Sequence, residues 1–124
     1  MFPRPKSLRS FIGASDFDLS RRFYRDLGFD ELVISETMSL FRMGDVSFHL
    51  QRYYVADWVN NSMLFLEVED IEDAYLAVKE LDLPTKYPGA QVKPIQDEDW
   101  GREFFIHDPS GVLWHIGSFE QSRP

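Results

Sequence analysis

WGREFFIHDPSGVLWHIGS, residues 100–118, sets two short apolar-rich segments on either side of a four-residue stretch that cannot continue a strand. In DPSG, Pro109 occupies the second turn position, where its fixed φ fits, and Gly111 the fourth. REFFIH and VLWHIGS therefore read as a β-hairpin closed by that turn. Placing the turn sets the register of the last strand. Side chains alternate between faces, so Trp114 and Ile116 go to a core side and Leu113 and His115 to the other. A histidine stands on each side of the turn, and at such a place it is a metal ligand, a general base or an ordinary strand residue.

Upstream, NSMLFLEVE (61–69) reads as a strand and DIEDAYLAVKELDL (70–83) as a helix. The first half holds the same order. SLRSFIGAS (7–15) reads as a strand. DFDLSRRFYRDLGF (16–29) reads as a helix with Asp16 or Asp18 as its cap and Gly28 as its end. Strands follow at 31–34, through SLFRM, and, after a turn at Gly44-Asp45, through VSFHLQRYY. Aligning Asp16 with Asp70 pairs Phe17 with Ile71, Asp18 with Glu72, Arg25 with Lys79, Asp26 with Glu80 and Leu27 with Leu81. Chemical type is kept along both helices, which indicates an internal duplication. Between them and the hairpin lie PTKYPGAQVKP (84–94), Pro/Gly-rich and irregular, and an acidic QDED run (96–99) read as a solvated loop. The chain is thus βαβββ twice, an α+β fold in which a mixed sheet carries its helices on one face and lines a cavity with the other. The modules span about 6–55 and 61–119 of a single domain, 1–124.

The 124 residues carry a net charge of −8 and a pI near 4.7. That balance disfavours nucleic acid and anionic membrane, which select clustered Lys and Arg, and favours a cationic small molecule. There is no cysteine, so disulfides, Cys-zinc sites and thiol nucleophiles are absent. No signal peptide or membrane span is read, and the expected compartment is the cytoplasm.

FYRDLGF, FLEVEDIEDAY, DLPT and above all WGREFFIHDPSGVLW resemble the glyoxalase/bleomycin resistance branch of the vicinal oxygen chelate superfamily. The resemblance implies two βαβββ modules forming a cupped mixed sheet. It also implies a homodimer that completes the cup by exchanging elements between modules or chains. In metal-dependent members it implies ligands on the first and last strands of each module. Those positions are Arg9 and Met63 on the first strands and His49 and His115 on the last ones.

Alternation gives an independent lining for the cup: Arg9, Phe11, Ser47, His49, Gln51, Met63, Phe65, Glu67, Leu113 and His115. This is an apolar surface with a few polar groups, the usual make-up of a ligand pocket. Trp100 is expected either as an aromatic wall of that pocket or as a loop anchor. Arg102 and Glu103 are expected as surface pairs and His107 as a turn residue. Tyr53, Tyr54 and Trp58 form an aromatic cluster at a lid, a dimer contact or the core. A catalytic metal needs about three His, Asp or Glu ligands, and the family positions supply His49 and His115 alone. The expectation is a metal-independent, cofactor-free binding protein that sequesters an aromatic, cationic compound in a pocket at a dimer interface. The alternative is a glyoxalase-type lyase or isomerase, or a dioxygenase, using Zn, Ni, Fe or Mn at His49 and His115.

Overall fold

The structure is a computed structural model and describes residues 1–119. The first module runs β1 (Phe11–Gly13), α1 (Phe17–Leu27), β2 (Asp30–Ser35), β3 (Met38–Met43) and β4 (Val46–Gln51). A short helix, α2 (Ala56–Asn60), leads into β5 (Met63–Glu67) and α3 (Ile71–Leu81). Then come α4 (Leu83–Lys86), β6 (Gln91–Val92), β7 (Gln96–Glu98), β8 (Gly101–His107) and β9 (Leu113–Phe119).

The duplication is visible in the helices and in the sheet order. Asp16 caps α1 by accepting from the Leu19 amide, and Asp70 caps α3 by accepting from the Glu72 and Asp73 amides. Both helices have 11 residues and stand at the same offset from their caps. One sheet has the order β1-β4-β3-β2 and the other β5-β9-β8-β6, with β7 also paired to β8. In each, the module's first strand runs parallel to its last, β1 beside β4 and β5 beside β9. The expected α+β class and paired βαβββ modules are therefore present. Within one chain the cup consists of two half-sheets, each with its own hydrogen-bond ladder.

Three details differ from the sequence reading. The first strand is shorter than 7–15, because only Phe11–Gly13 finds a full ladder partner in β4. The 84–94 linker begins with the short helix α4, with Pro84 in its first turn, and includes β6. The QDED run is partly strand, since its backbone pairs with β8 (Gln96 opposite Glu103, Glu98 opposite Gly101). The aromatic cluster falls on and before α2, and Tyr53, Tyr54 and Trp58 are exposed.

Helix α1 packs across both half-sheets. The Tyr24 ring lies 4.8 Å from Phe48 of β4 and 5.8 Å from Trp114 of β9, and Phe48 lies 5.3 Å from Trp114. These tilted and edge-on pairs join the modules into one core with Ile12, Leu50, Phe104, Ile106 and Ile116. Beneath α1, Glu31 accepts from Arg21 Nε at 2.6 Å, Arg25 Nη1 at 2.7 Å and Ser39 Oγ at 2.6 Å. Burial acts on the Glu31 carboxyl most strongly and raises its pKa. The Arg21 and Ser39 hydrogen bonds and the two guanidinium charges outweigh it, and the net shift is downward. Helix packing on one face leaves the other face of each half-sheet open, which is where the candidate site lies.

Candidate functional site

Alternation places the expected strand residues on the open faces. In β4, Phe48 and Leu50 are buried in the core while Ser47, His49 and Gln51 are half-exposed on the other side. In β5, Met63, Phe65 and Glu67 are exposed and Leu64 and Leu66 pack against the core. Leu113 and His115 sit opposite Met63 and Phe65 in the parallel β5–β9 ladder, so they share that face.

The two modules repeat one feature there. Phe11 is opposite His49 on β1 and β4, with the rings stacked at 4.8 Å and 16°. Phe65 is opposite His115 on β5 and β9, at 6.4 Å and 24°. The Phe–His pair is thus duplicated along with the fold. Gln51 lies two residues along β4 from His49, opposite Gly13. Arg9 is exposed in the arm before β1 and belongs to no strand, so ladder alternation does not set its direction as the sequence reading supposed.

Around His115 the second module builds a denser site. The Trp100 ring lies 5.5 Å from Phe65 and 5.0 Å from Phe119, and Phe65 lies 5.8 Å from Phe119. This trio rests on Gly117: a Cβ there would stand 2.5 Å from Phe65 Cζ and 2.9 Å from Trp100 Cη2. Trp100 thereby packs on the face that bears His115, against both Phe65 and Phe119.

Glu103 lies on this face as well. It is 5% exposed, and its Oε1 is 2.9 Å from His115 Nδ1. The expected Arg102–Glu103 surface pairing is half right. Arg102 points to the helix side and meets Glu72 at 3.1 Å and Asp97 at 3.4 Å, while Glu103, one residue on, points to the open face. Glu98 faces the same way. Its carboxyl is raised above the ordinary value, chiefly by a hydrogen bond with Glu103. Phe105 packs its edge on His115 at 4.9 Å and 87°. His107, expected as an incidental turn residue, continues this face of β8 opposite Leu113 and is half-buried. Burial lowers its pKa, with a smaller push from Lys93.

The sequence reading missed Glu98, Glu103, Phe105, His107, Gly117 and Phe119. For Glu103, Phe105 and His107 the signal was available: they alternate along GREFFIH as the core residues Phe104 and Ile106 do.

A cleft of about 460 Å³ opens beside this face, between the modules. Leu8, Ser47, Met63 and Phe65 line it, together with Phe48 and Trp114 from the core side. Neither histidine lines it; the hydrogen-bonded and aromatic groups gather on the open face of β8 and β9.

Among the described residues no group of three or more His, Asp or Glu is gathered to hold an ion. Glu103 engages His115 Nδ1 at 2.9 Å.

With this geometry in hand, the family model for the glyoxalase/bleomycin resistance protein/dioxygenase superfamily matches residues 9–116. The chain belongs to that superfamily. Among solved structures, a bleomycin-binding protein complexed with bleomycin superposes with a TM-score of 0.78 at 18% identity, over 94% of this chain and 100% of that one. The bleomycin-binding protein from Streptomyces verticillus, complexed with copper(II)-bleomycin, gives 0.74 at 22% identity, over 94% and 100%. A lactoylglutathione lyase from Agrobacterium tumefaciens gives 0.68 at 15% identity, over 94% and 100%. At these identities the superpositions establish the shared fold. The sequence matches none of the curated proteins at a significant level. No helix among the described residues is long and apolar enough to cross a membrane.

Proposed function

We propose that this superfamily member binds and sequesters an aromatic, cationic small molecule without a metal, in the manner of bleomycin-binding proteins. The observation that carries the reading is the aromatic and acidic face of the second module. Phe65, Trp100 and Phe119 offer flat apolar surface, Glu67 offers negative charge, and His115, held by Glu103, offers a fixed polar group. An aromatic surface with a few convergent polar groups suits ligand capture, and an aromatic face beside carboxylates suits a cation.

The working unit in this reading is a homodimer. Leu8, Phe11, Met63 and Phe65 leave large apolar side chains exposed around the open faces, and a second copy brings its own half-sheet to close the cup. The pocket then lies at the interface.

The test is calorimetric titration with metal-free bleomycin, alongside elemental analysis of protein purified without chelator. The reading expects saturable binding at one site per chain and no stoichiometric metal. Absence of binding rejects bleomycin-type glycopeptides as the ligand. One tightly held Ni, Zn, Fe or Mn per chain, lost in His115→Ala, would reject the metal-independent reading in favour of glyoxalase-type chemistry.

A further inference from the structure

His115 has one hydrogen bond fixed and a second one missing. Its Nδ1 lies 2.9 Å from the buried Glu103 carboxylate. Its Nε2 is also buried and has no hydrogen-bond partner among the described residues. Phe105, edge-on at 4.9 Å, and Phe65, stacked at 6.4 Å, hold the ring between them.

An ionised carboxylate only accepts, so a neutral His115 must donate from Nδ1. Its proton is then committed, and Nε2 is left with a lone pair directed among aromatic rings. A buried acceptor without a donor is costly, and native proteins rarely leave one unanswered. Of the two flanking rings, Phe65 is on the edge strand β5 and 46% exposed, so the approach of a donor to Nε2 is from its side.

The geometry points to a ligand that carries an N–H on the edge of a flat heteroaromatic ring, with that N–H donated to His115 Nε2. This inference rests on the small-molecule reading above and narrows it to a ligand class. The ring follows from the surroundings, since Phe65, Trp100 and Phe119 offer faces and edges against which a flat group packs. An ammonium group at the same point would give up its hydration to a mostly aromatic lining. Glu103 cannot answer it freely, because its carboxylate is engaged by His115. The ligand's cationic group goes instead to the exposed Glu67, on the same face. Glu103 acts as a positioning residue: it chooses the tautomer and never touches the ligand.

The experiment compares tryptamine with 1-methyltryptamine, which differ only in the indole N–H. Protein carrying ¹⁵N-histidine is titrated with each above pH 7 and followed by NMR, with His115 assigned through His115→Phe. In the free protein the His115 proton is expected on Nδ1. Tryptamine is expected to bind about tenfold more tightly than its methylated analogue, a difference of about 1.4 kcal/mol, and to shift the Nε2 resonance. The preference is expected to vanish in His115→Phe, with the melting curve confirming that this variant still folds. A free-protein proton on Nε2, equal affinity for the two amines, or binding of neither overturns the inference. So does a preference that survives in His115→Phe. If bleomycin fails to bind while the amines are discriminated, the glycopeptide ligand is wrong and the role of His115 stands.

Discussion

Tyr24 and Asp108, separated by 84 residues, are joined by a hydrogen bond of 2.7 Å in which the phenol donates to the carboxylate. Asp108 also accepts from the amides of Ser110, Gly111 and Val112, and Tyr24 Oη in turn accepts from Trp114 Nε1 at 2.9 Å. One buried network therefore ties the helix of the first module to the DPSG turn and last strand of the second. The strand that bears His115 is held in place partly from the other module.

Tyr24→Phe removes one hydroxyl and leaves an oxygen of Asp108 and the indole N–H of Trp114 without partners. The expected cost is about 1–3 kcal/mol. Asp108→Ala strips the acceptor from four donors and is expected to cost more. Urea unfolding of both variants checks this, and an Asp108→Ala as stable as wild type would show that the turn closes without its carboxylate.

Glu31 sets a pH dependence of stability. Its folded pKa lies below the usual 4.5, the downward pull of Arg21 and Ser39 exceeding the effect of burial. A carboxyl depressed on folding contributes stability that is complete above the unfolded pKa and is lost as pH falls through the folded one. Stability at Glu31 is thus expected to decline below about pH 4.5. Thermal melts of wild type and Glu31→Gln between pH 3 and 7 test it: the gap between them should shrink as the pH drops.

Gly117 governs the aromatic trio. Its Cβ position lies 2.5 Å from the Phe65 ring, so Gly117→Val must push Phe65 and Trp100 off the sheet. An expected stability loss of about 1–3 kcal/mol should accompany a shift in tryptophan emission and a weakening of bleomycin binding. Trp100→Ala should weaken binding at least as much while costing less stability, since that ring is partly exposed. Unchanged binding in both variants would remove the trio from the site.

The N-terminal arm, residues 1–10, is exposed throughout. Deleting residues 1–8 is expected to shift the proposed homodimer to monomer in sedimentation velocity and to lower the melting temperature by the stabilisation that dimerisation supplied. A wild-type monomer, or a deletion variant that still dimerises, contradicts the closed-cup arrangement.

Local chemistry made much of this protein legible. Asp16 and Asp70 announce helix starts because a carboxylate is the acceptor that a first helical turn lacks. The DPSG turn announces a hairpin because proline and glycine suit its backbone. Strict alternation then assigned Phe11, His49, Phe65 and His115 to one face of their sheets. Alternation cannot say which residues meet across strands or across modules. The Glu103–His115 bond depends on the antiparallel pairing of β8 with β9, and the Tyr24–Asp108 bond on packing α1 across both half-sheets. The QDED run looks like solvent-facing loop by composition, yet its backbone completes the β8 ladder and so turns Glu98 toward Glu103. The sequence by itself determined the duplicated βαβββ order and the faces of its strands, because those follow from local turn chemistry and a period of two. Only the tertiary structure decided that His115 is held by a buried carboxylate and walled by Phe65 and Phe105, because those contacts join residues the chain order keeps apart.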